Sequence, residues 1–349
     1  MAGGAGTRFW PWSRTNLPKQ LLALAGSETM LAETAKRVRG FVPDENILVV
    51  TGKHLRRPVA DALPWLPRTS ILCEPVGRNT APCVGWASLE VLARDPDGVM
   101  AVLAADHVIE PEAAFRRTLA LAMDETDRTG ALATFGVIPT HPATGYGYIR
   151  AGRPLDGGAM RKVSSFKEKP NLATATRYLK KGDYFWNSGM FVWRADAIWR
   201  EIEACMPELA APLAKMESMR LRRKIAQKHV DACYPELPSV SIDHGVLEKS
   251  RTIGVIPADF TWNDIGSWDA LADLWPADEA GNVSRDPLIS VDSGGNVVAS
   301  RGKPVALVGV EDLVVVDAGD TILICHRDRC QDVRQVVARL GTAGLEKLK

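Results

Sequence analysis

Four short apolar runs, at 46–51, 70–73, 99–105 and 131–138, constrain this chain more than any other feature of it. Helical stretches fall between and around them, at 30–38, 53–63, 79–93 and 110–127. Runs that stay apolar, without polar alternation, suit strands buried on both faces. Ser27 and Thr29 stand where a cap for the first helix is needed. Strand and helix in alternation predict an α/β fold: a doubly wound, mostly parallel, Rossmann-like sheet with helices on both faces.

The rhythm changes after residue 138. Segments 145–149 and 161–166 read as extended, 172–181 as a helix and 185–193 as a long extended run. Residues 195–227 are helix-rich and highly charged, which reads as a solvated lid or an outer layer; 252–256 is a further strand. Beyond about residue 280 come short valine-rich pieces broken by glycine and aspartate, at 296–298, 305–308, 313–316 and 321–325. Such spacing predicts a small solenoid or a sandwich. Val333, Val336, Val337 and Leu340 recur at i, i+3, i+4 and i+7, so an amphipathic helix closes the chain. The expected division is 1–280 for the α/β domain and 281–349 for a small β-rich domain ending in that helix.

The net charge of +1 gives no global field for nucleic acid or an anionic membrane, so any affinity for phosphate must be local. No apolar run is long enough to span a bilayer. The six cysteines are scattered without a C-x-x-C pair, which argues against zinc and for reduced thiols. A cytoplasmic setting is therefore expected.

The candidate site begins at Gly3, Gly4, Gly6, Thr7 and Arg8, with Lys19 following. Closely spaced glycines let backbone N–H groups approach an anion, and a hydroxyl with two cations suits phosphate. The loop is neither a Walker A motif nor a dinucleotide fingerprint, because the Gly-Lys-Ser/Thr and the third glycine are missing. Asp106 ends the clearest buried run, where ligands sit in open α/β sheets. It reads either as a magnesium ligand or as a cap for the next helix. Asp264, between Trp262 and Trp268, is the second carboxylate that could complete a magnesium site. Lys169 and Glu168 read as a second phosphate cation beside a hydroxyl acceptor, or as a solvated turn. Asn187 and Gly147 offer an amide contact and close backbone approach, or an ordinary bulge and turn. No nucleophile elbow or cysteine–histidine pair is visible. Direct phosphoryl or nucleotidyl transfer fits such a site, because the protein then mainly positions reactants and offsets charge.

Taken together these segments resemble the sugar-1-phosphate nucleotidyltransferases, and within them the guanylyl branch that acts on mannose 1-phosphate. The resemblance rests on Gly3 to Lys19, Glu74 to Pro82, Ala104 to His107, Phe166 to Pro170, Trp186 to Phe191 and Trp262 to Trp268. Position 167 is lysine, where valine is more usual in the family. The implied reaction is attack of mannose 1-phosphate on the α-phosphorus of GTP, with Mg2+ as cofactor. Arg8 and Lys19 would hold the triphosphate over Gly3, Gly4, Gly6 and Thr7. Glu74, Arg78, Asn79 and Thr80 would flank the guanine. Asp106 and Asp264 would carry the metal, Lys169 the sugar phosphate, and Glu168, Asn187 and Gly147 the mannose. The alternatives are another nucleotide and sugar phosphate, or a non-catalytic sugar-nucleotide-binding regulator; the presence of Arg8, Lys19, Asp106, Lys169 and Asp264 favours an enzyme. The resemblance also implies a left-handed β-helix-like tail and a homodimer, and the near-neutral charge leads us to expect no nucleic-acid or membrane partner. Two expectations concern the ends: no fused isomerase domain and hence no phosphomannose isomerase activity, and a first strand lying upstream of Met1.

Overall fold

The computed structural model describes residues 1–4, 6–221 and 225–349. Ala5 of the glycine loop and residues 222–224 of the charged helical stretch lie outside them. Helix α1 (Met30–Val38) starts where Thr29 accepts a hydrogen bond from Ala32 N at 3.2 Å. β1 (Val49–Gly52), α2 (Arg56–Ala62), β2 (Ile71–Glu74), α3 (Thr80–Leu92) and β3 (Val99–Val102) follow in the expected order. Then come β4 (Val108–Glu110), α4 (Glu112–Thr129) and β5 (Leu132–Val137). The hairpin β6 (Tyr148–Pro154) and β7 (Arg161–Lys167) leads through α5 (Leu172–Lys181) to the long β8 (Tyr184–Arg194).

The fold is α/β with a mixed central sheet, in the order β3-β8-β5-β9-β7-β6, where β9 is Ile253–Pro257. β5 runs parallel to β9, and β1 to β2, while β8 is antiparallel to β3, β5 and β6. β6 and β7, joined without a crossover helix, pair antiparallel as a hairpin must.

Helices α6 (Ala195–Cys205) and α7 (Pro207–Glu217) are an outer layer rather than a solvated lid. Their charges face outward, but Ile198, Ile202, Leu209 and Leu213 are fully buried against α3 in one core with Trp193. Helix α8 (Gln227–Cys233) extends the layer, and β10 (Thr261–Asn263) pairs with β4.

The tail is a parallel solenoid, not a sandwich. β11 (Val283–Ser284), β13 (Val297–Ala299) and β15 (Leu313–Asp317) stack in parallel, and β12 (Leu288–Val291) pairs in parallel with β14 (Val305–Val308). Val283 lies opposite Val297, and Val297 opposite Val314, so each coil adds a valine to one interior column. Buried Asn296 donates to the Asn282 side chain at 2.8 Å and accepts from Leu313 N at 2.9 Å, satisfying turn backbone inside the coil. β16 (Ile322–His326) ends the stack antiparallel to β15, and helix α9 (Val333–Arg339) folds back. The tail shares a core with the start of the chain: Phe9, Trp10, Trp268, Val297, Val314 and Val333 form one cluster. Trp10 Nε1 donates to Leu348 O at 2.8 Å and Trp12 Nε1 to Asp317 O at 2.9 Å. The coil therefore braces the glycine loop from behind. No helix among the described residues is long and apolar enough to cross a membrane.

Candidate active site

The glycine loop runs into a 3-10 turn at Thr7–Phe9, anchored by fully buried Phe9. Gly3, Gly4 and Arg8 are exposed on its open side. Gly6 has φ 55°, and a Cβ there would meet Lys19 N at 2.6 Å, so glycine is required on both counts. The loop thus packs directly on the segment that carries Lys19.

Lys19 is the centre of the site. Its ammonium donates to Asp106 Oδ2 at 2.9 Å, Asp106 O at 2.9 Å and Asp264 O at 2.5 Å. An ammonium has three N–H groups, and all three are taken. The two carboxylate residues, far apart in sequence, are joined by one buried cation. Arg8 reaches the same loop, donating from Nη1 to Gly266 O at 2.9 Å, and keeps further N–H groups on its exposed fork.

Burial raises the Asp106 carboxyl, but Lys19 and His107 outweigh it and hold it below the ordinary aspartate value. His107 is pushed the other way: burial lowers it more than Asp106 raises it. Trp262 Nε1 donates to His107 Nδ1 at 3.1 Å, so the ring is neutral with its proton on Nε2, 3.9 Å from Asp106 Oδ1. Among the described residues no group of three or more His, Cys, Asp or Glu is placed to hold a metal ion, so Asp106 and Asp264 offer at most a sparse set of oxygen donors. It fits a divalent cation such as Mg2+ that keeps waters and takes phosphate oxygens as its remaining ligands.

Tyr146 links this cluster to a second one. Its hydroxyl donates to Asp264 Oδ1 at 2.9 Å, and its ring packs edge-on against Trp186 and Trp262, each at 5.0 Å. Burial, and then Asp264, raise its pKa, so Tyr146 stays a donor. The next residue, Gly147, accepts from Asn187 N at 2.8 Å. A Cβ on Gly147 would lie 2.5 Å from Glu168 Oε2 and 3.3 Å from Asn187 Cβ, so only glycine fits. Lys169 pairs with Glu168 at 3.0 Å and is mostly exposed. Asn187 accepts from Thr134 Oγ1 at 3.0 Å and donates to Asp243 Oδ1 at 2.9 Å, which fixes its amide orientation. Asp243 stands on a π-helical turn, Asp243–Leu247, and burial followed by Glu168 raises its pKa.

The third group comes from the end of β2. Glu74 is buried, accepts from Tyr234 Oη, and places Oε2 3.7 Å from the Cβ position of Gly3. Burial raises its pKa and the Tyr234 bond opposes this. Arg78 donates to Pro235 O. Asn79, at φ 64°, caps α3 by accepting from Thr80 N, and Thr80 Oγ1 accepts from Ile242 N at 2.9 Å. Asn79, Lys169 and Ile265 all hold positive φ, at 64°, 41° and 41°. Non-glycine residues there cost about 1 kcal/mol or more each and collect at functional sites.

The structure therefore gathers Gly6, Lys19, Asp106 and Asp264 with Arg8, sets Gly147, Glu168, Lys169 and Asn187 together, and joins the two groups through Tyr146. Gly3 is the bridge to Glu74. Sequence reasoning passed over His107, Tyr146, Tyr234 and Asp243 as participants. The first two adjoin residues already singled out; nothing local marks Tyr234 or Asp243.

Known proteins resemble this chain along nearly its whole length. Residues 1–281 match the nucleotidyl transferase family, and residues 286–340 match the MannoseP isomerase/GMP-like beta-helix domain. The chain is 41% identical over 347 residues to the xanthan biosynthesis protein XanB of Xanthomonas campestris pv. campestris (strain B100), covering 99% of this chain and 73% of the relative. It is 39% identical over 351 residues to the mannose-1-phosphate guanylyltransferase of Escherichia coli (strain K12), covering 99% and 73%. A crystal structure described as mannose-1-phosphate geranyltransferase from Thermus thermophilus superposes with a TM-score of 0.87 at 33% identity, covering 98% of both chains.

Proposed function

The chain belongs to the nucleotidyl transferase family, and on that footing we propose that it transfers GMP from GTP to α-D-mannose 1-phosphate, giving GDP-mannose and pyrophosphate. The observation that carries the reading is the Tyr146–Gly147 step. One residue binds Asp264 and the next abuts Glu168 and Asn187, so a nucleotide end and a sugar end share one loop. GDP-mannose supply for polysaccharide assembly agrees with relatives named for xanthan and alginate biosynthesis.

A phosphate oxygen of mannose 1-phosphate attacks the α-phosphorus of GTP in line. The bond to the α,β-bridging oxygen breaks, and its electron pair leaves with pyrophosphate. Gly3, Gly4, Gly6 and Thr7 offer backbone to the triphosphate, and Arg8 turns its unused N–H groups to the departing phosphates. Asp106 and Asp264 would hold Mg2+, which when bound would offset charge on the α-phosphate. Lys19 keeps both carboxylate residues in place and meets the triphosphate only by exchanging one of its present acceptors. Lys169 receives the sugar phosphate. Glu168 and Asn187, oriented by Asp243, take mannose hydroxyls over Gly147. Glu74, with Arg78, Asn79 and Thr80, borders the base.

Pyrophosphate release across a grid of nucleoside triphosphates and sugar 1-phosphates tests the assignment. GTP with mannose 1-phosphate should exceed every other pair in kcat/KM by about 100-fold; a better pair elsewhere in the grid would falsify it. Chelation should abolish turnover, and added Mg2+ should restore it.

We further propose catalysis by residues 1–280, a braced β-rich domain at 281–349, a cytoplasmic setting supported by six free thiols, and a homodimer. The dimer is supported by the solenoid face where Ile289, Val291 and Val308 stand exposed on paired strands. Sedimentation of the wild type should give a dimer, and Val308→Lys a monomer. A monomeric wild type would remove the idea.

A further inference from the structure

The six cysteines are free, and among the described residues two of their sulfurs meet. Cys325 stands on β16 and Cys330 in the 3-10 turn Arg327–Asp332 that follows it, with the two Sγ atoms 4.0 Å apart. Cys330 is fully buried in the core that holds Phe9 and Trp268. Cys325 is half-buried, on a strand that pairs with β15 and with no other strand among the described residues. A small solute can therefore reach Cys325, while Cys330 is sheltered behind it.

The contact makes the two thiols unequal. With Cys330 as the S–H donor, it lowers the pKa of Cys325 against the opposing effect of burial. The same contact raises Cys330, and burial adds to it. Burial raises Cys73, Cys205 and Cys83, the last to about 12. The thiolate is the nucleophile, so Cys325 is the thiol placed to react first and Cys330 the one placed to resolve it.

The pair also abuts the loop that carries Asp264. The backbone N–H of Asp269 hydrogen-bonds the Cys330 sulfur. Gln331, the next residue, donates from Nε2 to Ser267 Oγ at 2.9 Å, and Ser267 Oγ donates in turn to the Asp269 carboxylate. Gly266, one residue earlier, accepts from Arg8, and Trp268 packs on Phe9 with ring centroids 5.1 Å apart. A disulfide would bring the sulfurs from 4.0 Å to about 2 Å. Closing that distance draws the Cys330 sulfur toward β16 and off the Asp269 N–H.

We infer that Cys325 and Cys330 form a reversible oxidation site, closed to a disulfide by a peroxide, and that closure loosens the loop from Asp264 to Asp269. The Cys325 thiolate attacks one peroxide oxygen; the O–O bond breaks, and hydroxide leaves and takes a proton to become water. The Cys330 thiol gives up its proton and attacks the sulfur of the resulting sulfenic acid. The S–O bond breaks, and a second water is released. Two thiols and one peroxide become one disulfide and two waters, with two electrons passing from sulfur to oxygen. A dithiol reductant reverses the bond by exchange. The inference is independent of the reaction assigned above, because its readouts are a covalent bond and an amide exchange rate.

The test treats the purified, reduced chain with a slight excess of hydrogen peroxide. The intact mass should fall by about 2 Da. Trypsin cuts after Arg327 and Arg329, so the oxidised pair should appear as two peptides joined by one disulfide, which dithiothreitol parts. The Asp269 amide should exchange at least about fivefold faster in the oxidised chain. Cys325→Ser should show neither change under the same peroxide. Cys330→Ser keeps the nucleophile without its partner, and should hold Cys325 as a sulfenic acid that dimedone captures. If that variant does not fold, the wild type and Cys325→Ser decide alone. Joined peptides with faster exchange at Asp269 support the inference. It is overturned by the absence of joined peptides, by a bond from either cysteine to another of the six in equal yield, or by the same Asp269 exchange in the oxidised wild type and in Cys325→Ser.

Discussion

Asp106→Asn should lower kcat/KM by about 1,000-fold or more, roughly 4 kcal/mol of transition-state stabilisation. The substitution keeps the size of the side chain and an oxygen for Lys19 Nζ, which now sits 2.9 Å from Oδ2. What it removes is the full negative charge that the proposed reaction sets beside the triphosphate, and with it one of the two carboxylates proposed to hold the metal. Folding should be affected little. The Asp106 side chain is 36% exposed, so solvent screens its pair with buried Lys19, and the lost charge assistance costs about 1 kcal/mol. The check is steady-state pyrophosphate release against Mg2+ concentration, with circular dichroism on the same sample. A variant that folds and keeps more than about a tenth of its activity would remove Asp106 from the metal site, because a lost metal ligand costs several kcal/mol.

The order of the fold was legible because burial on two faces leaves an unbroken apolar run. The runs ending at Thr51, Cys73 and Ala105 became β1, β2 and β3. The position of Asp106 just beyond β3 was legible for the same reason. The valine pieces showed a repeat but not its closure; the asparagine pair Asn282 and Asn296, which separates a solenoid from a sandwich, is written in side-chain hydrogen bonds. Residues 195–227 read equally as a solvated lid or an outer layer because their charges are frequent. Which face those charges occupy is settled by α3, a distant element. Asp243 lies 56 residues from the Asn187 it orients, and His107 matters through a tautomer that Trp262 selects. Neither relation has a local signature.

Lys19→Met and Arg8→Met should fail in different ways, and the contrast tests the central claim about the site. Both residues looked like triphosphate cations in the sequence. In the structure Lys19 spends its three N–H groups on Asp106 and Asp264, while Arg8 spends Nη1 on one carbonyl and is otherwise exposed. Removing the Lys19 ammonium leaves two carbonyls and a carboxylate without their donor in a buried setting, a loss of about 1–3 kcal/mol after allowance for the open side of Asp106. It also frees the Asp264 loop from the end of β3. Lys19→Met should therefore lower the thermal midpoint by several degrees and reduce kcat by about 100-fold or more as the carboxylates lose register. Lys19→Arg should not rescue it, because a planar guanidinium cannot replace a compact ammonium between three converging oxygens. Arg8→Met should leave the midpoint within about 2 °C, since a single exposed contact is worth little. Its defect should instead be about 100-fold in kcat/KM for GTP, from lost contact with the leaving phosphates. Differential scanning fluorimetry with initial-rate kinetics on both variants separates the two roles. Equal stability loss, or an unchanged midpoint in Lys19→Met, would mean that the ammonium is a substrate cation rather than the strut that holds the two carboxylates together.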